Sequence, residues 1–170
     1  MRERAKALVG PRAAKDLAIS TFHSLGVRML RADGVAVGLK ANFSILDSDD
    51  VLGIMREAGG CSDNALARRW QWAISLWKNQ GLDADGAEAA AAAGANDDER
   101  VAARVMRLYQ ERLQAFQAVD FDDLIQLPLV LLRRDEEARA RWQAQFRHIL
   151  VDALSCVEQR VHSRVFRNSS

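Results

Sequence analysis

The sequence predicts a predominantly helical α/β fold, and three observations carry that expectation. Two short runs, Leu17 to Thr21 and Phe146 to Asp152, have the β-prone character of strands. Between them, one stretch after another repeats its apolar residues at helical spacing. Acids or hydroxyls stand ahead of several of those stretches, where a helix N-terminus needs oxygen acceptors. The Phe146 to Asp152 run carries Ile149, Leu150 and Val151 in a row, the pattern of a strand covered on both faces. It ends on a carboxylate at the place where open α/β sheets bind ligands, although an Asp there is also a common turn former.

Taken in order, Met1 to Leu8 reads as a short helix stopped by Gly10-Pro11. Ser20 or Thr21 is placed to cap a helix beginning near Phe22, whose apolar positions are Phe22, Leu25, Met29 and Leu30. Phe43 to Leu46 is a short extended piece, after which Asp47 or Ser48 caps a helix through about Ala58 that Gly59-Gly60 ends. The acids Asp47, Asp49 and Asp50 suggest a metal at first sight, but acids in a first turn are explained by capping and by the helix dipole. Asp63 to Asn79 is a helix with Leu66, Trp70, Ile74 and Trp77 on one face and Trp72 and Leu76 on a flank. Its aromatic stripe fits a core better than a base-stacking platform.

Asp83-Ala84-Asp85-Gly86 has the beginning of a calcium loop, yet Gly94 stands where the closing Glu belongs, so the stretch is expected to be a turn. The alanine run Ala87 to Ala93 is expected to be a mobile, disordered connector. Asn96 to Glu99 opens a long helix with the stripe Val101, Val105, Leu108, Tyr109, Leu113 and Phe116. Asp120 to Leu132 is expected to be a buried helix that Pro128 bends rather than ends, and Asp135 to Gln145 a polar one.

Composition bounds the function. The chain of 170 residues is 49% hydrophobic and 28% charged, enough for a domain with a core. Lys+Arg 24 against Asp+Glu 23 leaves +1, so no overall basic field marks a dedicated nucleic-acid binder and any DNA contact must be local. Cys61 and Cys156 have neither metal-ligand nor disulfide-framework spacing, which fits a reducing cytoplasm. No apolar run has the length of a membrane span, and the start Met-Arg-Glu-Arg lacks a signal-peptide core, so a cytoplasmic location without membrane contact is expected.

Three blocks in order carry a family likeness: Thr21-Phe22-His23-Ser24, then Asp120-Phe121-Asp122-Asp123-Leu124, then the strand end at Leu150-Val151-Asp152. With Ala41-Asn42-Phe43-Ser44 and Ser75-Leu76-Trp77-Lys78-Asn79, they make the chain from Met1 to Asp152 resemble the Rep/UvrD-type superfamily 1 DNA helicases, closest to the Rep branch.

The resemblance implies a partial RecA-like P-loop NTPase motor domain (1A) interrupted by a helical 1B-type insert. The expected division is 1–45 in motor domain 1A, 46–118 in the insert, 119–152 back in 1A, and 153–170 an unrelated, disordered tail, with boundaries near Ile45 and Val119. It implies an ATP-dependent helicase moving 3′ to 5′ along single-stranded DNA, with ATP and Mg²⁺ as cofactors of the parent.

It also implies that Thr21 and His23 contact the DNA backbone, where a hydroxyl and an imidazole near a helix N-terminus can donate to phosphate oxygens. Lys78 is the further candidate for a phosphate contact. Phe121, Asp122 and Asp123 are expected only as a structural block, a buried aromatic beside acids that cap a helix. Asp152 would meet Mg²⁺ in a complete protein, as the remnant of the Walker B strand.

The departures are as informative. No Gly-x-x-x-x-Gly-Lys-Ser/Thr occurs in the sequence, and Asp152 is followed by Ala153 where the family has the Glu that polarises the attacking water. From Ala153 to Ser170 nothing matches the family, and three Arg against one Glu make that tail +2, as a frameshift at Asp152 would produce. The chain alone is therefore expected to be catalytically inactive and without a cofactor, binding single-stranded DNA weakly through phosphates. The alternative is a non-enzymatic interaction or weak DNA-binding module. His148 and His162 have no assigned role.

Overall fold

A computed structural model describes residues 17–93 and 97–146, together with Glu3, Ala7, Gly10, His148, Ile149 and Val151. Helix α1, Phe22–Asp33, begins where Thr21 turns from extended backbone and accepts a hydrogen bond from the Ser24 amide. A 3₁₀ turn, Gly34–Val37, carries the chain into strand β1, Ser44–Ile45. Helix α2, Ser48–Gly59, opens on a capping box: Asp47 accepts from Asp49 and Asp50 amides, and Asp50 returns the bond to the Asp47 amide. The carboxylates of Asp47 and Asp50 are thus used as caps, while Asp49 places its charge in the first turn. Gly60 closes the helix at φ 61°, a left-handed conformation that suits glycine.

Asp63 caps helix α3, Asn64–Asn79, and Asp83 caps helix α4, Ala84–Ala92. The long helix α5, Asp97–Phe116, leads to strand β2, Ala118–Val119. Helix α6, Asp123–Arg134, runs on through Pro128, and Asp135 caps helix α7, Glu136–Gln145. Each such cap is worth about 1 kcal/mol.

The two strands pair in parallel, Ser44 with Ala118 and Ile45 with Val119, so the chain leaves and re-enters at adjacent points around the helices between. Those helices close one apolar cluster, in which Val51, Met55, Ala67, Trp70, Ile74, Met106, Tyr109 and Leu113 are buried together. The approach of α2 to α3 is tight at Gly59, where a Cβ would stand 2.0 Å from the Trp70 ring. A second cluster gathers Leu30, Leu39, Phe43, Val119 and Leu124. Here α1 crosses α6 so closely that a Cβ on Gly26 would lie 1.9 Å from the Leu124 carbonyl oxygen. Helix α7 is tied to the end of α1 by Arg141 and Trp142, which donate to the two oxygens of Asp33 at 2.6 and 2.7 Å.

Four expectations are corrected. Leu17 to Thr21 forms no strand, and Leu17 is exposed. Of the Phe146 to Asp152 run, Phe146, His148, Ile149 and Val151 are described; none lies in a strand, and Ile149 and Val151 are exposed. An apolar run becomes a buried parallel strand only with strands beside it, and the described sheet consists of β1 and β2 alone. The expected turn at Asp83 to Gly86 and the expected connector after it form helix α4 instead. Its Ala84, Ala87 and Ala91 are buried against α5, and Arg107 reaches across to Asp85 and Glu88 at 2.6 and 2.8 Å. Finally, Leu108 and Phe116 of the α5 stripe are exposed, with Ala102, Ala103 and Met106 buried in their place. Of the expected N-terminal helix Met1 to Leu8 only Glu3 and Ala7 are described, and the 153–170 tail lies outside the described residues.

Candidate functional site

The first turn of α1 presents Thr21 and His23, both exposed. Thr21 Oγ1 accepts from the Ser24 amide at 3.2 Å and lies 3.0 Å from Ser24 Oγ, so its hydroxyl organises the helix start while remaining at the surface. Amides not spent within the helix and the positive end of its dipole favour an anion at this terminus. The His23 imidazole stands beside the Phe121 ring, with centroids 5.7 Å apart and planes inclined at 68°. Two blocks far apart in sequence thus meet at one surface point.

Behind Phe121 the chain is held by a buried polar network. Asp120 and Asp123 bond each other's amides, with Asp123 N donating to Asp120 Oδ1 at 2.9 Å and Asp120 N to Asp123 Oδ2 at 3.2 Å. Lys78 Nζ donates to Asp120 Oδ2 at 2.6 Å and to Asp123 Oδ1 at 2.8 Å, and Tyr109 Oη donates to Asp120 Oδ2 at 2.8 Å. Burial pulls the Lys78 ammonium down, but Asp123 and Asp120 outweigh it and hold its pKa above the ordinary value. One ammonium cannot neutralise two buried carboxylates. Burial also raises the Asp120 carboxyl, yet Lys78 draws it below its usual range; burial pushes Asp123 up to about 6, with the neighbouring Asp120 charge adding to it. Burial, then the Asp120 charge, also raises the Tyr109 phenol.

This geometry corrects the expectation for Lys78. Its side chain is buried at 2% exposure and its ammonium is committed to two carboxylates, so no donor is offered to a phosphate at the surface. Phe121, expected to be buried, is 55% exposed, because the turn at residues 121 and 122 lifts it clear of both apolar clusters. Asp122 stands at the cap position without a capping bond; its carboxylate lies 3.5 Å from Asn79 Nδ2, and burial raises its pKa. Asp152 lies outside the described residues.

The network was findable in part. Lys78 continues the buried stripe Ala67, Trp70, Ile74 at a spacing of four, and a lysine on a core stripe demands buried acids. Nothing in the sequence pairs Phe121 with His23.

Beside the turn lies a hollow of about 110 Å³ lined by Asp47, Ser48, Gln71, Ser75, Asp120 and Asp122 among others. Its carboxylates disfavour an anion in the hollow itself. On α3, Trp70 and Trp77 are core, as expected of the stripe, while Trp72 is 70% exposed. Among the described residues no group of three or more His, Cys, Asp and Glu side chains is gathered to hold a metal ion, and no helix is long and apolar enough to cross a membrane.

The family described as UvrD/REP helicase N-terminal domain matches residues 1–154. ATP-dependent DNA helicase Rep of Escherichia coli is 41% identical over 155 residues, which are 89% of this chain and 23% of that protein. ATP-dependent DNA helicase UvrD1 of Mycobacterium leprae is 38% identical, and ATP-dependent DNA helicase PcrA of Leuconostoc citreum 39% identical, each over 159 residues. Both alignments cover 89% of this chain and 20% of the relative, so the chain spans between a fifth and a quarter of the length of these curated relatives.

Proposed function

The chain belongs to the UvrD/REP helicase N-terminal domain family, and on that premise we propose that it is a slice of an ATP-dependent 3′ to 5′ DNA helicase that touches the backbone of single-stranded DNA through Thr21 and His23. The observation that carries this reading is the exposed start of α1, where a hydroxyl, an imidazole and the positive end of a helix dipole stand together at the surface. Contacts of that kind go to phosphate and carry no base preference.

The same reading assigns residues 1–45 and 119–152 to a RecA-like motor domain and residues 46–118 to a helical 1B-type insert. Its support is the adjacency of β1 and β2 and the separate apolar cluster formed by the helices between them. ATP and Mg²⁺ belong to the complete motor. The residues present do not fit that chemistry by themselves: phosphoryl transfer needs a phosphate cradle, a held Mg²⁺ and a group that orients water. Of these the sequence offers Asp152 alone. The chain is therefore catalytically silent in this proposal.

Titration of a labelled single strand over a series of salt concentrations tests the DNA contact. Weak binding that falls with salt and weakens in Thr21→Ala and His23→Ala is expected; binding untouched by both substitutions would overturn the assignment. Phosphate release tests catalysis. None is expected with or without DNA, nor in Ala153→Glu, and DNA-stimulated turnover that disappears in Asp152→Ala would contradict the silence.

A further inference from the structure

We infer that Phe121 is a positioning residue for His23, and that the buried Lys78–Asp120–Asp123–Tyr109 network sets the place of Phe121 and so couples the helical insert to the surface that His23 occupies. The part of the inference that concerns DNA rests on the proposed phosphate contact of His23; the part that concerns geometry does not.

A phenylalanine at 55% exposure gains little from burial, and Phe121 lies outside both apolar clusters, so the hydrophobic effect alone does not hold its ring in place. Its backbone, however, is held on both sides. Asp120 before it and Asp123 after it are both buried at 7% exposure and bond each other's amides across the turn. Both are fastened to one ammonium on α3, and Asp120 also to a phenol on α5. A turn held on both sides leaves the intervening ring few directions, and the one it takes brings it to 5.7 Å from the His23 ring at an inclined, edge-type angle.

His23 gains from this. A surface histidine in the first turn of a helix samples several rotamers, whereas a ring beside it removes some of them. Fewer rotamers to lose lowers the entropic cost of fixing the imidazole on a phosphate. The path of contact is also a path between regions: Lys78 and Tyr109 belong to the helices of the first apolar cluster, while His23 stands on α1, which contributes Leu30 to the second.

The ring-proton resonances of His23 report the geometry without DNA, and the shift they take in Phe121→Leu marks the position of an imidazole with no ring beside it. Tyr109→Phe and Lys78→Met leave both rings intact and disturb only the network behind them. The inference expects the His23 resonances of a folded Tyr109→Phe chain to move toward those of Phe121→Leu. If they remain at the wild-type position while thermal stability drops, the network is structural only and the inference is overturned. Lys78→Met serves as the second perturbation where it folds, and Tyr109→Phe, which removes a single hydroxyl, keeps the test open where it does not.

Single-strand titration provides the functional arm. Phe121→Leu is expected to weaken binding severalfold, less than His23→Ala does, and Phe121→Tyr to restore it. Wild-type binding by Phe121→Leu alongside weakened binding by His23→Ala would overturn the positioning role and leave the DNA contact standing. Wild-type binding by His23→Ala would overturn the DNA contact itself, and the resonance shifts would then decide the geometry alone.

Discussion

The two apolar clusters solve the problem of burial in different ways. Between β1 and β2, α2, α3 and α5 turn large side chains toward one another, and Met55, Ile74, Met106 and Tyr109 are each at most 1% exposed. The second cluster is assembled from two helices, a loop and a strand end, with Leu30, Leu39, Phe43, Val119 and Leu124 as its buried members, and the strands beside it are two residues long. The first cluster therefore depends on side-chain packing among neighbouring helices, whereas the second region depends on close backbone approach, at Gly26, and on polar ties such as Asp33 to Arg141 and Trp142. Lys78 lies at the seam.

The largest effect should come from that seam. Lys78→Met leaves two buried carboxylates facing an apolar side chain and is expected to cost about 3–5 kcal/mol, read by urea unfolding at neutral pH. A cost below about 1 kcal/mol would mean that the ammonium is not needed to join the regions.

Next comes a pair that separates the two modes of packing. Gly26→Ala sets a Cβ against the Leu124 backbone carbonyl, which cannot swing away, and should cost about 3 kcal/mol or more. Gly59→Ala meets the Trp70 ring, a side chain that can shift a little, and should cost less, about 1–3 kcal/mol. Reversal of that order would break the comparison.

A third test uses pH. Asp123 is raised to about 6 against an unfolded value of about 3.9, so between those values the folded chain holds a proton that the unfolded chain has released. Its contribution is complete below about pH 4 and is lost as pH rises through 6. Relative to Asp123→Asn, the wild type should lose on the order of 2 kcal/mol between pH 4 and pH 6.5. Asp120, whose pKa is lowered, works in the opposite sense, contributing above about pH 3.8 and losing its contribution as pH falls. A difference between wild type and Asp123→Asn that does not change with pH would contradict the excess of one buried carboxylate over the ammonium.

The smallest effect is expected at Thr21. Removing its cap in Thr21→Ala should cost about 1 kcal/mol and act on α1 alone.

Where the sequence was legible, local chemistry decided the outcome. Ser20 or Thr21, Asp47 or Ser48, Asp63 and Asp135 mark four helix starts, and Thr21 and Asp47 make the bond in the first two, because a cap is a bond between near neighbours. The stripe Trp70, Ile74 and Trp77 announced a buried face for the same reason. What escaped was set by distant partners. Helix α4 reads as a turn followed by a connector because alanines carry no strong hydrophobic signal; what holds it is α5 packed against its small face, with Arg107, some twenty residues away, adding exposed ion pairs. The phosphate role expected of Lys78 rests on its neighbour Trp77, while its partners in the structure lie 42 and 45 residues on. The family block carries Phe121 over as a buried aromatic; the turn that exposes it is fixed by buried charges. The apolar run Ile149 to Val151 had the composition of a central strand, and composition does not supply neighbours.

Native-state hydrogen exchange, read residue by residue, tests most directly the claim that an independently packed helical insert is coupled through Lys78 to the surface that His23 occupies. The account predicts that amides around Met55, Ile74 and Met106 exchange slowest and those around Leu30 and Leu124 faster, with the gap widening in Lys78→Met. Amides around Leu30 and Leu124 that exchange as slowly as those of the insert, in the wild type and in Lys78→Met alike, would contradict it.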